Sequence, residues 1–190
     1  MLASLLPAQV VIEEELTPAG GAQSRGRDFA AGRQCAGRAL ARLGFDASPV
    51  ERGPRGEPLW PPGVVGSITH CAGYAAAAVA RSRDLDGLGI DAEVPARLDA
   101  QVIEIVCTER ERGISATLGI ELWPLVIFSA KESVFKVWYP LTGRWLEYAD
   151  VQVTLDAAGS RFSAAVGGRA LTGRFAVRED LILTAVALAR

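Results

Sequence analysis

Apolar positions along the first part of the chain predict one strand followed by one helix. Residues 10–16 have the composition of a strand, and residues 24–43 place apolar side chains at roughly helical spacing. Ser24 is a suitable N-cap for this helix, and Gly44 lies just beyond its end, where glycine commonly terminates a helix. The apolar stripe of the helix comprises Phe29, Cys35, Ala36, Leu40 and Leu43.

A loop rich in proline and glycine, residues 49–62, leads from this helix to three short predicted strands. The strands are residues 64–69, 74–80 and 87–94, and turn residues separate them at Gly73 and at the Asp86-Gly87 pair. The connections are too short for crossover helices, so neighbouring strands should pair antiparallel.

The second half of the chain changes from helical to strand patterns. Residues 98–118 predict a helix with a break near Thr108, and residues 122–138 predict a longer helix with Pro124 in its first turn, stopped by Pro140 and Gly143. Four further strands are predicted at residues 151–155, 161–166, 171–177 and 181–188. Strands, then helices, then strands indicate an α+β fold and not a parallel doubly wound sheet.

Composition and charge narrow the function classes. A net charge of −2 argues against a general nucleic-acid binder, because such proteins carry excess positive charge. Cys35, Cys71 and Cys107 are far apart and form no C-x-x-C pair, so neither a disulfide framework nor a zinc site is indicated. The longest run of small apolar residues, 75–80, is too short to span a bilayer, and the N-terminus lacks signal-peptide character. We therefore expect a soluble cytoplasmic protein without membrane partners.

Two carboxylates follow each other at strand spacing in the segment 89–93. The period of two in a strand places Asp91 and Glu93 on one face and Ile90 and Ala92 on the other. Solvated acids at a strand end are one interpretation. The other is a hard divalent cation, because neighbouring carboxylates repel each other and oxygen ligands select magnesium, manganese or calcium over zinc.

The helix 122–138 carries a second candidate pair, Glu132 and Lys136, which lie on one face because they are four residues apart. An ordinary surface ion pair is the simpler interpretation. The surrounding aromatic residues favour a partly buried site, in which charge needs a functional reason. These aromatic residues are Trp123, Phe128, Phe135, Trp138 and Tyr139.

His70, the only histidine, lies at a strand end beside Ser67, Thr69 and Gly73. A lone histidine is more often structural than catalytic. Here, however, the hydroxyls and backbone amides around it could meet phosphate oxygens. The sequence contains neither of the standard glycine-rich nucleotide loops nor a G-x-S-x-G motif, so a standard nucleotide loop and a serine hydrolase triad are not indicated.

In combination, the segments 60–74, 89–93 and 128–136 resemble the 4′-phosphopantetheinyl transferases. The resemblance covers roughly residues 25–148 and is closest to the monomeric subgroup that serves siderophore, polyketide and nonribosomal peptide synthases. Residues 25–40 are similar to the arginine-rich first helix of that family. Residues 52–58 are similar to its loop before the Trp-Pro pair, with Arg55 where the family usually has lysine.

The resemblance implies two similar α+β lobes in a pseudo-two-fold arrangement, each an antiparallel sheet with a packed helix, with the active cleft between them. We expect residues 1–95 to form the N-terminal lobe, with the coenzyme A segments and the metal acids. Residues 96–190 would form the C-terminal lobe, with the catalytic helix and the terminal strands.

The resemblance also implies residue roles. Asp91, Glu93 and Glu132 would hold magnesium, or manganese, with the pyrophosphate of coenzyme A. Lys136 would contact the attacked phosphate, and His70 would bind the 3′-phosphate of coenzyme A. Further cofactor contacts are expected at Arg25, Arg33, Arg55, Ser67, Thr69 and Lys131.

The implied reaction is attack of a serine hydroxyl of an apo acyl or peptidyl carrier protein on coenzyme A, with release of 3′,5′-ADP. A carboxylate should accept the serine proton. Glu132 is the first candidate and Glu93 the second. Two alternatives stay open: a non-catalytic regulator that binds coenzyme A or a carrier, and a metal-dependent phosphohydrolase.

Overall fold

The computed structural model describes residues 1–17, 24–47, 49–115 and 120–190, without the side chains of residues 24, 25, 114 and 115. The helices are α1 (Ser24–Leu43), α2 (Ala100–Val106), α3 (Glu109–Ser115) and α4 (Trp123–Thr142), with short 3-10 turns at Leu2–Ser4 and Tyr148–Asp150. The strands are β1 (Val11–Leu16), β2 (Glu51–Arg52), β3 (Pro58–Leu59), β4 (Val64–Cys71), β5 (Tyr74–Arg81), β6 (Leu85–Glu93), β7 (Val151–Asp156), β8 (Arg161–Val166), β9 (Arg169–Val177) and β10 (Ile182–Ala189).

Two antiparallel sheets form the frame, a three-stranded sheet in the order β1-β5-β4 and a five-stranded sheet in the order β6-β10-β9-β8-β7. Helix α1 packs on the first sheet, and α4 packs on the second. The prediction of an α+β fold with antiparallel sheets and packed helices is confirmed. In the described part of the chain, no helix is long and apolar enough to cross a membrane.

Strand β5 explains how α1 can lie close to the first sheet. Every residue from Tyr74 to Ala80 is buried, because both faces of this strand are covered. Ala77 and Val79 contact α1, and the alternate residues contact the apolar N-terminal segment around Leu2. Small side chains on β5 bring the helix near the sheet and leave the polar end of β4 beside α1.

The pairing of β6 differs from the prediction. We expected β4, β5 and β6 to pair as consecutive antiparallel neighbours, and β4 does pair with β5. Strand β6 instead pairs with β10, so it belongs to the five-stranded sheet, although we had assigned residues 87–94 to the N-terminal lobe. The long-range ladder with β10 supplies β6 with hydrogen-bond partners that the adjacent β5 does not.

The other edge of β6 faces β4, and side-chain hydroxyls join the two strands. The Ile90 N–H donates to Ser67 Oγ at 3.0 Å, and the Ala92 N–H donates to Thr69 Oγ1 at 3.0 Å. Buried backbone N–H groups require partners. At the boundary between the two sheets, side chains of β4 therefore supply the hydrogen-bond acceptors for these N–H groups of β6.

Close packing at glycine brings α4 onto β6. A Cβ atom on Gly89 would lie 2.0 Å from the Ser133 carbonyl oxygen, so only glycine allows this approach. The helix runs to Thr142, beyond the predicted stop at Pro140. Pro140 is accommodated within the last turn, and Gly143, at φ 65°, ends the helix in the left-handed conformation.

The predicted break near Thr108 is confirmed, because α2 ends at Val106 and α3 begins at Glu109. The Thr108 N–H donates to Glu111 Oε2, and the Glu111 N–H donates to Thr108 Oγ1. This reciprocal pair is a capping box. Cys35, Cys71 and Cys107 are free thiols.

Candidate active site

A cavity of about 280 Å³, here called the cleft, lies between the two halves of the fold. Helix α1, strand β4 and the loop between β2 and β3 supply one wall, which includes Phe29, Arg33, Arg55, Ser67 and His70. Helix α4 and the segment after it supply the other wall, which includes Glu132, Phe135, Lys136, Tyr139 and Trp145. A cleft between the halves is the position that the sequence analysis predicted.

Asp91 is fixed by three donors from two elements, α4 and β4. Its Oδ1 accepts hydrogen bonds from Lys136 Nζ at 2.8 Å and from Thr69 Oγ1 at 3.4 Å, and its Oδ2 accepts one from Ser129 Oγ at 2.8 Å. The residue as a whole is 5% exposed. The predicted alternation along β6 is confirmed here, because Ile90 and Ala92 pack in the apolar layer behind the strand. Two of these three donors, Lys136 and Ser129, belong to α4, so the carboxylate of Asp91 points toward that helix.

Glu132 and Lys136, the charged residues predicted as a pair on α4, each bind a different partner. Lys136 forms its ion pair with Asp91 and also donates to the Ile90 carbonyl at 2.9 Å. Glu132 instead accepts a hydrogen bond from the Tyr148 hydroxyl at 3.0 Å. The two residues still belong to the same wall of the cleft, but they are not bonded to each other among the described contacts.

The carboxylates of this site repel one another. Burial, followed by the charge of Asp91, raises the pKa of Glu93 to about 7, and the charge of Glu132 adds to the rise. Burial and Asp91 also raise the pKa of Glu132, against the opposing effects of Lys136 and Tyr148. Burial and Glu132 raise the pKa of the Tyr148 hydroxyl, so it stays protonated and can donate.

This all-oxygen donor set fits a hard divalent cation, whose charge would relieve the repulsion among the three carboxylates. The geometry is not fully preformed. Within the described residues, no group of three His, Cys, Asp or Glu side chains converges in a ligating arrangement. Lys136 holds Asp91 Oδ1, so it would have to share or release that oxygen when a cation binds.

The opposite wall presents cationic and aromatic side chains. His70 is exposed to the cleft, and its ring meets Phe29 edge-on with centroids 6.1 Å apart. Partial burial and the charge of Lys136 lower the pKa of His70. Arg33 lies over the Phe29 ring, and Arg55 lies over the Tyr139 ring at 5.7 Å from its centroid. The cationic side chains could bind the anionic groups of a ligand, and the aromatic rings could stack on a planar group of the same ligand.

Three predicted cofactor contacts in this wall, Arg33, Ser67 and Thr69, form hydrogen bonds within the protein. Arg33 Nη1 donates to the carbonyls of Val50 and Glu51 at 2.9 and 2.8 Å, which ties α1 to β2. Ser67 lines the cleft and keeps its hydroxyl proton available after it accepts the Ile90 N–H. Thr69 stays a predicted contact, but its buried hydroxyl already accepts the Ala92 N–H and donates to Asp91. The side chain of Arg25 lies outside the described residues.

Lys131 stays a predicted contact of coenzyme A, but in this structure it has protein partners. Its ammonium is buried and donates to Glu111 Oε2 at 2.9 Å and to the carbonyls of Val106 and Tyr148, both at 2.8 Å. All three donors are therefore used inside the protein. The physical reason is helical geometry, because one residue step turns the side chain by about 100° away from Glu132.

Comparison with known proteins decides the family. Residues 13–80 match the 4′-phosphopantetheinyl transferase N-terminal domain, and residues 87–184 match the 4′-phosphopantetheinyl transferase superfamily. The chain belongs to the 4′-phosphopantetheinyl transferase superfamily.

Individual relatives align over most of this superfamily member. It is 40% identical over 220 residues to the 4′-phosphopantetheinyl transferase Svp of Streptomyces mobaraensis, across 100% of the chain and 89% of the relative. It is 38% identical over 192 residues to the 4′-phosphopantetheinyl transferase PptT of Mycobacterium tuberculosis, across 93% and 85%. It is 38% identical over 195 residues to the 4′-phosphopantetheinyl transferase Npt of Nocardia iowensis, across 93% and 88%.

The first match ends at residue 80 and the second begins at residue 87, near the start of β6. That position agrees with the sheet topology, in which β6 pairs with β10. Whether the two halves act as separate lobes divided near residue 95 stays a prediction.

Five aromatic residues at the cleft, Phe29, Phe135, Tyr139, Trp145 and Tyr148, were missed as site residues. Phe29 was placed in the apolar stripe of α1, but it is 38% exposed and faces the cleft. Tyr139 and Trp145 flank Phe135, whose ring centroid lies 5.6 Å from that of Tyr139 and 4.9 Å from that of Trp145. Tyr148 follows in the next turn. The density of aromatic residues along α4 was the available signal, whereas Trp145 and Tyr148 lie in an irregular segment without periodicity.

Proposed function

We propose that this chain transfers the 4′-phosphopantetheine arm of coenzyme A to a serine of an apo acyl or peptidyl carrier protein, with release of 3′,5′-ADP. The observation that carries the proposal is the cleft itself. It brings His70 and Arg55 from one half together with Glu132 and Lys136 from the other. Relatives that bear the transferase name align over nearly the whole chain.

Binding of coenzyme A uses the cationic wall. His70 and Arg55 would contact phosphates, with His70 on the 3′-phosphate, while Arg33 and Ser67 would complete the wall. Phe29 would add an aromatic face beside His70. Because these groups come from α1, β4 and the β2–β3 loop, the bound molecule would span the junction with α4.

The chemical step is phosphoryl transfer, which depends mainly on positioning and on neutralising charge. The serine hydroxyl attacks the β-phosphorus, and Glu132 accepts its proton. A new bond forms between the serine oxygen and phosphorus. The bond from phosphorus to the oxygen that bridges the two phosphates breaks, and 3′,5′-ADP leaves with that oxygen. Lys136 stands beside Asp91 at this wall and would neutralise the developing charge.

Burial and the charge of Asp91 raise the pKa of Glu132, which makes this carboxylate a stronger proton acceptor. Glu93, with its pKa near 7, is the second candidate for the same role. Asp91, Glu93 and Glu132 would together hold magnesium, or manganese, which would draw the pyrophosphate into the cleft and withdraw charge from it. We further propose that the enzyme acts as a monomer, because one chain supplies both walls of the cleft. The proposed compartment is the cytoplasm.

The test is the intact mass of an apo carrier protein after incubation with this protein, coenzyme A and magnesium. The expected result is a gain of one phosphopantetheine group, abolished by Glu132→Ala and by a chelator, and restored by added magnesium or manganese. Transfer that persists in full after exhaustive chelation would overturn the metal proposal alone. Absence of transfer to any of several acyl and peptidyl carriers would overturn the transferase proposal.

A further inference from the structure

Tyr148 is the side chain that holds the candidate base in place. It opens the short 3-10 turn Tyr148–Asp150, between α4 and β7. Its hydroxyl donates to Glu132 Oε1 at 3.0 Å, and its ring packs against Phe128 with centroids 5.9 Å apart. Among the described residues, the Glu132 carboxylate has no other hydrogen-bond partner.

The backbone that carries Tyr148 is itself anchored. Its carbonyl accepts Lys131 Nζ at 2.8 Å, and the turn is closed by reciprocal bonds between Glu147 and Asp150. Lys131 is in turn held by Glu111, which is fully buried and accepts the Val153 N–H at 2.6 Å. A chain of fixed groups therefore runs from the edge of the five-stranded sheet to the Tyr148 ring.

Without a hydrogen-bond partner, the Glu132 side chain would be expected to change rotamer in this cleft. Its side chain has three rotatable bonds, and the negative charge of Asp91 pushes it away. A hydrogen bond on Oε1 holds the side chain in one orientation and leaves Oε2 without a hydrogen bond among the described residues. That oxygen is then available to an incoming hydroxyl, without a search over rotamers in each cycle.

We infer that Tyr148 is a positioning residue of the transfer reaction, which holds Glu132 through Oε1 while the buried Lys131–Glu111 pair holds the Tyr148 backbone. The inference rests on the proposed function, in which Glu132 receives the serine proton. Tyr148 contacts Glu132 and not the reacting atoms, so it acts on the rate through the orientation of that carboxylate.

The first variant is Tyr148→Phe, which removes the hydroxyl and keeps the ring against Phe128. We expect kcat to fall about tenfold, the size of effect typical for one hydrogen bond to a charged acceptor, with the KM values for coenzyme A and carrier unchanged. The matched control is Tyr74→Phe. It also removes a tyrosine-to-carboxylate hydrogen bond, 2.6 Å to Glu14 Oε1, but on β5 away from the cleft. The control should keep the kcat of the natural protein.

A double-mutant cycle separates positioning from a general structural role. Glu132→Asp withdraws the carboxylate from Tyr148 by one methylene, so the hydrogen bond can no longer form. In that background, Tyr148→Phe should change kcat by less than twofold, because coupled residues are not additive. Thermal melting of every variant checks that the protein is folded at the assay temperature, and the assay is run below the lowest midpoint.

The outcomes are distinct. If the natural protein transfers the arm and Tyr148→Phe retains its full kcat, the positioning inference is overturned and the proposed function stands. The same follows if Tyr148→Phe lowers kcat by equal factors in both backgrounds. If the natural protein transfers to no carrier, the proposed function fails, and the inference fails with it.

Discussion

Two lysines of α4 form ion pairs of opposite character, one with Glu111 of α3 and one with Asp91 of β6. Lys131 and Glu111 have side chains 1% and 0% exposed, and hydrogen bonds occupy every donor of the lysine. Lys136 and Asp91 have side chains 26% and 7% exposed, and the lysine lines the cleft. The two lysines are five residues apart, which turns them about 140° from each other around the helix.

The difference shows that residue type does not decide role. A closed pair, from which water is excluded, contributes to a single packed arrangement, and its charges cannot exchange partners without unfolding. A pair at the wall of a cavity can exchange a partner for a bound phosphate. We therefore propose that the pair Lys131–Glu111 stabilises the fold and that the pair Lys136–Asp91 serves the reaction, and four predictions test this proposal.

The largest expected effect is on folding, from Lys131→Met. The substitution leaves Glu111 buried without its cation, and such breaks cost about 3–5 kcal/mol of unfolding free energy. Equilibrium denaturation measures the loss. A loss below about 1 kcal/mol, within the range of an exposed pair, would contradict the structural role of this pair.

The opposite pair should respond in activity, tested by Lys136→Met. Removal of one donor to developing charge typically lowers kcat by about 10²–10³-fold. The loss of unfolding free energy should be smaller, about 1–2 kcal/mol, because Asp91 keeps hydrogen bonds from Ser129 and Thr69. Steady-state transfer rates and denaturation of the same sample measure both. A kcat close to that of the natural protein would show that Lys136, like Lys131, has a structural role only.

Gly89→Ala tests whether the placement of α4 on β6 supports the functional pair. The added Cβ would meet the Ser133 carbonyl, and overpacking of this kind costs about 1–3 kcal/mol. Displacement of α4 should also lower kcat, because Lys136 lies one turn away from Ser133. The matched control is Gly113→Ala in α3, where a Cβ meets nothing within 4 Å. The control should be neutral or stabilising by up to about 1 kcal/mol. Equal melting temperatures for the two variants would contradict the close approach.

The smallest expected effect is a partial rescue of Lys131→Met by Glu111→Gln. The amide removes the unpaired charge and keeps an oxygen for the Val153 N–H, so about 1–2 kcal/mol should return. Glu111→Gln alone should destabilise the protein, because it disrupts an intact pair. Denaturation of the four proteins in this cycle gives the coupling energy. Strict additivity would show that the two side chains act independently.

The sequence predicted most of the elements and the α+β class, because the periods of strands and helices are local properties. It also predicted the alternation along β6, which separates Asp91 from Ile90 and Ala92. Capping residues predicted the break at Thr108, and the pairing of Thr108 with Glu111 explains why.

Contacts between residues far apart in the sequence could not be predicted from these local patterns. The partner of β6 is β10, about ninety residues later, and nothing in the segment 85–93 encodes that choice. Lys131 and Lys136 were grouped together because both belong to one helical motif, and only the tertiary position of Glu111 separates them. Tyr148 lies in a segment without periodicity, so its contact with Glu132 had no local signal.

The most direct test of the central claim is the ratio of 3′,5′-ADP released to holo-carrier formed, measured in one reaction by chromatography and intact mass. Our account predicts one nucleotide for each modified serine and no release when the carrier is omitted. Release of 3′,5′-ADP without carrier would indicate a phosphohydrolase. Coenzyme A binding without release in the presence of carriers would indicate a regulator. Either result would contradict the account.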